Sequence, residues 1–149
     1  MNIRGKLTIV GGDSLEDTSF MFMLCELEEI DINRFNTSKV KMMKGMFLGS
    51  KIRQDIDFSK LDTSEVIDMS MFLEQCTLDK IDISMLNTSK VRDMSAMLRG
   101  SRFKELKLDG IDTSRVKNMK EMFSSVELDI FKYKLNTSNV VDMSYMFCE

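Results

Sequence analysis

One five-residue word recurs along this chain and constrains its fold more than any other feature. It reads Asn36-Thr37-Ser38-Lys39-Val40, Asp62-Thr63-Ser64-Glu65-Val66, Asn87-Thr88-Ser89-Lys90-Val91, Asp112-Thr113-Ser114-Arg115-Val116 and Asn136-Thr137-Ser138-Asn139-Val140. Successive copies begin 26, 25, 25 and 24 residues apart. Self-similarity at this period means a stacked array of like units, none able to bury its apolar side alone. Further columns run in phase. Met43, Met69, Met94, Met119 and Met143 form one; Met46, Met71, Met97, Met122 and Met146 form a second; Phe47, Phe72, Leu98, Phe123 and Phe147 form a third. Cys25, Ser50, Cys76 and Ser101 form a column of small residues.

The spacing predicts two elements per unit. Val40, Met43, Met46 and Phe47 share one face of a short helix, and Asn/Asp-Thr-Ser is suited to capping its start. Ile30-Asp31-Ile32, Ile56-Asp57-Phe58, Ile81-Asp82-Ile83 and Leu106-Lys107-Leu108 alternate as short strands do, and Phe131-Lys132-Tyr133 is a shifted last copy. The expected fold is therefore an α/β solenoid of five to six strand–helix coils with a short parallel sheet. It forms one domain over 1–149, with an atypical first coil over 1–35 and regular repeats over 36–149. Val66 to Phe72 reads as one residue short, predicting a shortened helix that an extra residue before Cys76 restores. Leu7 to Val10 reads as a first strand, and Asp17-Thr18-Ser19 as a displaced copy of the capping word. The chain ends inside a coil, at Met146-Phe147-Cys148-Glu149.

Composition narrows the function. The chain has no His, Trp or Pro, and 21 basic against 24 acidic residues give a net charge of −3. Lack of His removes the commonest general acid–base group and metal ligand. Mixed charge argues against a nucleic-acid protein. No apolar run approaches a membrane span, and the N-terminus is too interrupted for a signal peptide. Three Cys without a CxxC indicate neither a disulfide framework nor a zinc site. No nucleophile–base pair or phosphate-binding loop is present, so no enzyme, metal or cofactor is expected. The three Asn-Thr-Ser words match a glycosylation acceptor, but they belong to the repeat word itself.

The Asn/Asp-Thr-Ser-x-Val-x-x-Met-x-x-Met-Phe word, with its following strand, resembles the BspA-like surface-protein repeat over about residues 17–149. That resemblance implies a right-handed, leucine-rich-repeat-like stack and a cell-surface or extracellular role in adhesion. It carries over no binding residues.

Two columns stand out as candidate sites. Asp31, Asp57 and Asp82, continued by Lys107 and Lys132, predict a charged stripe on the sheet face, either solvated or a docking surface for a partner. Asn36, Asp62, Asn87, Asp112 and Asn136 alternate amide and carboxylate, predicting a hydrogen-bonded ladder between coils. The expected function is a non-enzymatic scaffold that binds a protein or glycan. The alternative is an assembly subunit that self-associates through its open C-terminal end.

Overall fold

A computed structural model describes residues 2–126 and 133–149. Among these the only helical residues are a single 3-10 turn, Phe58–Lys60. Strands are β1 (Asn2–Gly11), β2 (Glu26–Phe35), β3 (Lys51–Ile52), β4 (Lys80–Asp82) and β5 (Glu105–Lys107). They form two small parallel sheets, one ordered β1-β2-β3 and the other β4-β5. The expected α/β solenoid of strand–helix coils, leucine-rich-repeat-like, is therefore not what forms. The segments assigned to helices are chains of tight turns.

The reason lies in where the amide groups go. Met46, Leu48 and Ser50 donate to the carbonyls of Met43, Gly45 and Phe47, three residues back. The alternate amides of Met43, Gly45, Phe47 and Gly49 donate across to Asp68, Ser70, Phe72 and Glu74 of the following repeat. A helix would need every amide for its own i−4 carbonyl. Isolated helices this short are marginal in water, whereas the neighbouring repeat offers acceptors in register. The same exchange recurs down the chain, and single parallel bridges join Asp17, Met42, Asp68, Asp93, Asn118 and Asp142 in one column.

Local chemistry favours these turns. Asp62 and Asp68, Asn87 and Asp93, and Asp112 and Asn118 are each six residues apart, and each side chain accepts the amide two residues on. Such side-chain bonds compete with helix. The turns also need left-handed backbone at their third residue. Gly45 and Gly49 supply it in one repeat, whereas Met71, Gln75, Ala96, Glu121, Ser125 and Tyr145 adopt it without being glycine. A left-handed non-glycine residue costs roughly 1–2 kcal/mol. Ala96→Gly is accordingly expected to raise the unfolding free energy by about 1 kcal/mol in denaturant titration. An unchanged or lowered value would mean that Ala96 is not held at φ 51.

The turn register corrects two further expectations. Phe72 donates to Met69 and Cys76 to Leu73, as Met46 does to Met43 and Ser50 to Phe47. Phe72 and Leu73 thus occupy the Met46 and Phe47 positions, Met71 takes the Gly45 position, and no residue is missing. Asp17 bridges Met42, so Asp17-Thr18-Ser19 matches the second turn of a repeat rather than the capping word.

The core runs through the stack. Val40, Met43, Met46, Phe47, Val66, Met69, Phe72, Leu73, Val91, Met94, Met97, Leu98, Val116, Met119 and Met122 are fully buried. Methionine is adaptable filler, which suits repeats of unequal length around one interior.

Candidate binding groove and charged columns

An irregular strand segment lies beside one of the concavities of the described residues. Leu27 lies three residues before Ile30 and Leu78 three before Ile81, but Ile52 lies four before Ile56. Parallel pairing needs equal steps in neighbouring repeats. The extra residue falls after β3, which ends at Ile52, and no strand leads into the Phe58–Lys60 3-10 turn that Asp57 caps. Ile56 and Phe58 stay buried. The sheet is thereby split, and a groove of about 230 Å³ opens between residues 55–59 and the start of β4. Asp55, Asp57, Ser59, Lys80, Asp82 and Met85 rim it. Met85 is 69% exposed.

The sequence-predicted stripe is thus broken into parts. Asp31, on β2, accepts from the Asn33 amide at 3.0 Å and the Asn33 side chain at 2.8 Å, and pairs with Lys6 at 3.2 Å. Asp57 accepts from the Ser59 hydroxyl at 2.6 Å and faces the groove. Asp82 accepts from the Ser84 hydroxyl at 2.6 Å and lies 3.6 Å from Lys107, its register partner on β5. Asp57, Asp82 and Lys107 therefore share one neighbourhood, whereas Asp31 belongs to the other sheet. Lys132 lies outside the described residues.

The alternating Asn/Asp column is not joined through its own side chains. Asn36, Asp62, Asn87, Asp112 and Asn136 each accept the amide of the serine two residues on, at 2.8–3.1 Å. The next residue, threonine, makes the link between repeats. Thr37, Thr63, Thr88 and Thr113 donate their hydroxyls to the carbonyls of Asp62, Asn87, Asp112 and Asn136 at 2.9, 3.1, 2.9 and 2.9 Å. All four threonines are buried. Sequence reasoning missed this column; an invariant Thr inside the capping word was the signal.

These turns set a pH dependence. The serine hydroxyl two residues on is the main cause holding Asp17, Asp57, Asp62, Asp82 and Asp112 below the usual carboxylate range; for Asp142 it is the Ser144 amide. A lowered folded value gives stability that is full above the unfolded value of about 3.9 and lost as pH falls through the folded values. Thermal midpoints should therefore be flat near neutrality and fall below about pH 4. Asp62→Asn with Asp112→Asn keeps the accepting oxygen, as at Asn87, and should shallow that fall. A midpoint that rises on acidification would contradict the assignment.

Reactive chemistry is muted. Cys25 and Cys76 are buried and Cys148 is exposed. Burial pushes the Cys76 thiol up to about 11, leaving it protonated near neutrality. Among the described residues no three His, Cys, Asp or Glu side chains converge on a metal position. No helix among them is long and apolar enough to cross a membrane.

A family model described as "Mycoplasma protein of unknown function, DUF285" matches residues 16–129 and again 101–149. This match replaces the BspA-like resemblance and the leucine-rich-repeat label that came with it: the word that carried the resemblance is turn-forming chemistry, not a helix cap. No curated protein and no solved structure matches the chain.

Proposed function

We propose that this chain, which belongs to the family described as Mycoplasma protein of unknown function, DUF285, is a non-enzymatic protein-binding scaffold. The groove at the split in the sheet carries this reading. Here an exposed Met85 stands beside Asp57, Asp82 and Lys80 over a buried apolar floor of Ile56 and Phe58. An apolar anchor ringed by charges of both signs is the arrangement that selects a protein partner. The Asp82–Lys107 pair extends the charged surface along β4 and β5. A role in adhesion has lost the resemblance that suggested it and forms no part of the proposal.

The test is affinity capture from same-cell and host-surface extracts, followed by binding measurements on the purified captured protein. Met85→Glu should weaken that binding at least about tenfold, since an apolar anchor is worth more than about 1.4 kcal/mol at a protein interface. Lys104→Glu, away from the groove, should leave it unchanged. Equal binding by Met85→Glu and the parent chain would overturn the groove assignment.

A further inference from the structure

A second hollow, of about 340 Å³, lies between residues 51–53 and 77–79 and is lined by Lys51, Ile52, Arg53, Thr77, Leu78 and Asp79. Backbone hydrogen bonds explain why it opens there. At its start the two segments are tied: Thr77 donates to Ser50 at 3.0 Å and Ile52 to Thr77 at 3.3 Å. Beyond that point each segment turns to its other neighbour. Arg53 donates to Leu27 at 3.2 Å and Leu78 to Arg102 at 3.1 Å, while Asp79 accepts from Lys104 at 2.9 Å. The ladder between the two segments therefore lapses at Arg53 and Asp79.

Side chains alternate along both segments. Ile52 and Leu78 are buried, 4% and 3% exposed, whereas Lys51, Arg53, Thr77 and Asp79 are exposed. The charge on this outer face is unbalanced. Asp79 is the one carboxylate among the lining residues, and Lys104 pairs with it at 3.0 Å. Lys51 and Arg53 make no ion pair or side-chain hydrogen bond among the described residues, and the Thr77 hydroxyl makes none either. Two residues apart on an extended segment, Lys51 and Arg53 repel one another across about 7 Å. Lys51 and Arg102 bridge Thr77 from its two sides, so Thr77 stands one ladder step of about 4.8 Å from each.

We infer that this hollow binds a phosphate group. The Arg53 guanidinium supplies a planar pair of donors, Lys51 a point charge, and Thr77 a hydroxyl that donates. Donors from three side chains suit a tetrahedral oxyanion, whereas a planar carboxylate would use the guanidinium fork alone. A phosphoryl group carries a charge of about −1.5 to −2 near neutrality, which offsets the charges of Lys51 and Arg53. The hollow shares no lining residue with the groove at Met85, and the inference does not rest on the partner proposed for that groove.

Proton–nitrogen NMR titration with inorganic phosphate tests it, with ionic strength held constant by sodium chloride. The Thr77 and Asp79 amides and the Arg53 Nε–H should shift together and reach half-saturation at about 10 mM phosphate or below. Arg53→Gln and Lys51→Gln should each weaken binding about tenfold, and Thr77→Val about threefold. Lys117→Gln removes the same charge from an exposed position elsewhere and should leave binding unchanged. The spectra themselves report that each variant is folded. Titration with O-phosphoserine identifies the source: tighter binding than inorganic phosphate assigns the hollow to a phosphoryl group carried on a larger molecule, and equal or weaker binding assigns it to the free anion. No saturable shift up to about 50 mM phosphate overturns the proposal, as does equal binding of acetate or equal weakening by Lys117→Gln.

Discussion

Phe47→Ala should cost about 3–5 kcal/mol, the largest loss expected from truncating a single core residue here. Phe47 is fully buried at the centre of an aromatic cluster. Its ring stacks on Phe22 at 5.1 Å and meets Phe58 and Phe72 edge-on at 5.9 and 5.6 Å. These contacts join three repeats and the irregular segment beside the groove. Its carbonyl also accepts from the Cys76 thiol at 2.7 Å and its amide donates to Phe72, so the backbone around the cavity is pinned and cannot collapse into it. Phe47→Leu should cost clearly less, because Leu73 and Leu98 already fill the same position in the next repeats. Urea titrations of both variants measure this. A loss below about 1 kcal/mol for Phe47→Ala would mean the repeats are not packed through this column.

Arg99→Met should cost about 3 kcal/mol, through the charge it abandons rather than the contact it loses. Glu74 has a side chain only 4% exposed. The Arg99 guanidinium donates to it through Nε at 2.8 Å and also through Nη2, while Nη1 reaches Glu121. Removing the guanidinium leaves a buried carboxylate unpaired, near a second one. The Arg99 side chain is 37% exposed, so water partly offsets the loss; hence the lower end of the range for broken buried pairs. The double variant Arg99→Met with Glu74→Gln should be more stable than Arg99→Met alone. If the double variant loses the sum of the two single changes, the pair is not coupled.

What was legible in the sequence was the set of residues that face inward. Val40, Met43, Met46 and Phe47 recur because each repeat contributes the same side chains to one interior, and composition alone reports that. What the spacing could not decide was the backbone between them. Residues at i, i+3 and i+6 share a face in a helix, and they also share one in successive three-residue turns. Gly45 inside the presumed helix argued for turns, since glycine weakens helix and tolerates left-handed backbone. Met71 and Glu121 hold the same conformation with nothing in their identity to announce it. There the stacked neighbour overrides local preference, because the lateral hydrogen bonds exist only once the repeats are assembled.

The candidate site was legible only in part, for the same reason. Asp57 and Asp82 occupy equivalent columns, but the additional residue between Ile52 and Ile56 was invisible as a structural break until strand register could be followed. It left Asp57 outside the strands that hold Asp31 and Asp82. The Thr37, Thr63, Thr88 and Thr113 hydroxyls read as capping groups of their own repeat, yet they bond to the carbonyl of the next. A partner one repeat away has no local signature.

Far-ultraviolet circular dichroism of the purified chain tests the turn-built architecture most directly. The account predicts a weak spectrum without the double minimum of α-helix, because the described residues hold one 3-10 turn and no α-helix. A strong helical signature, of the size that a two-turn helix in every repeat would give, would contradict it.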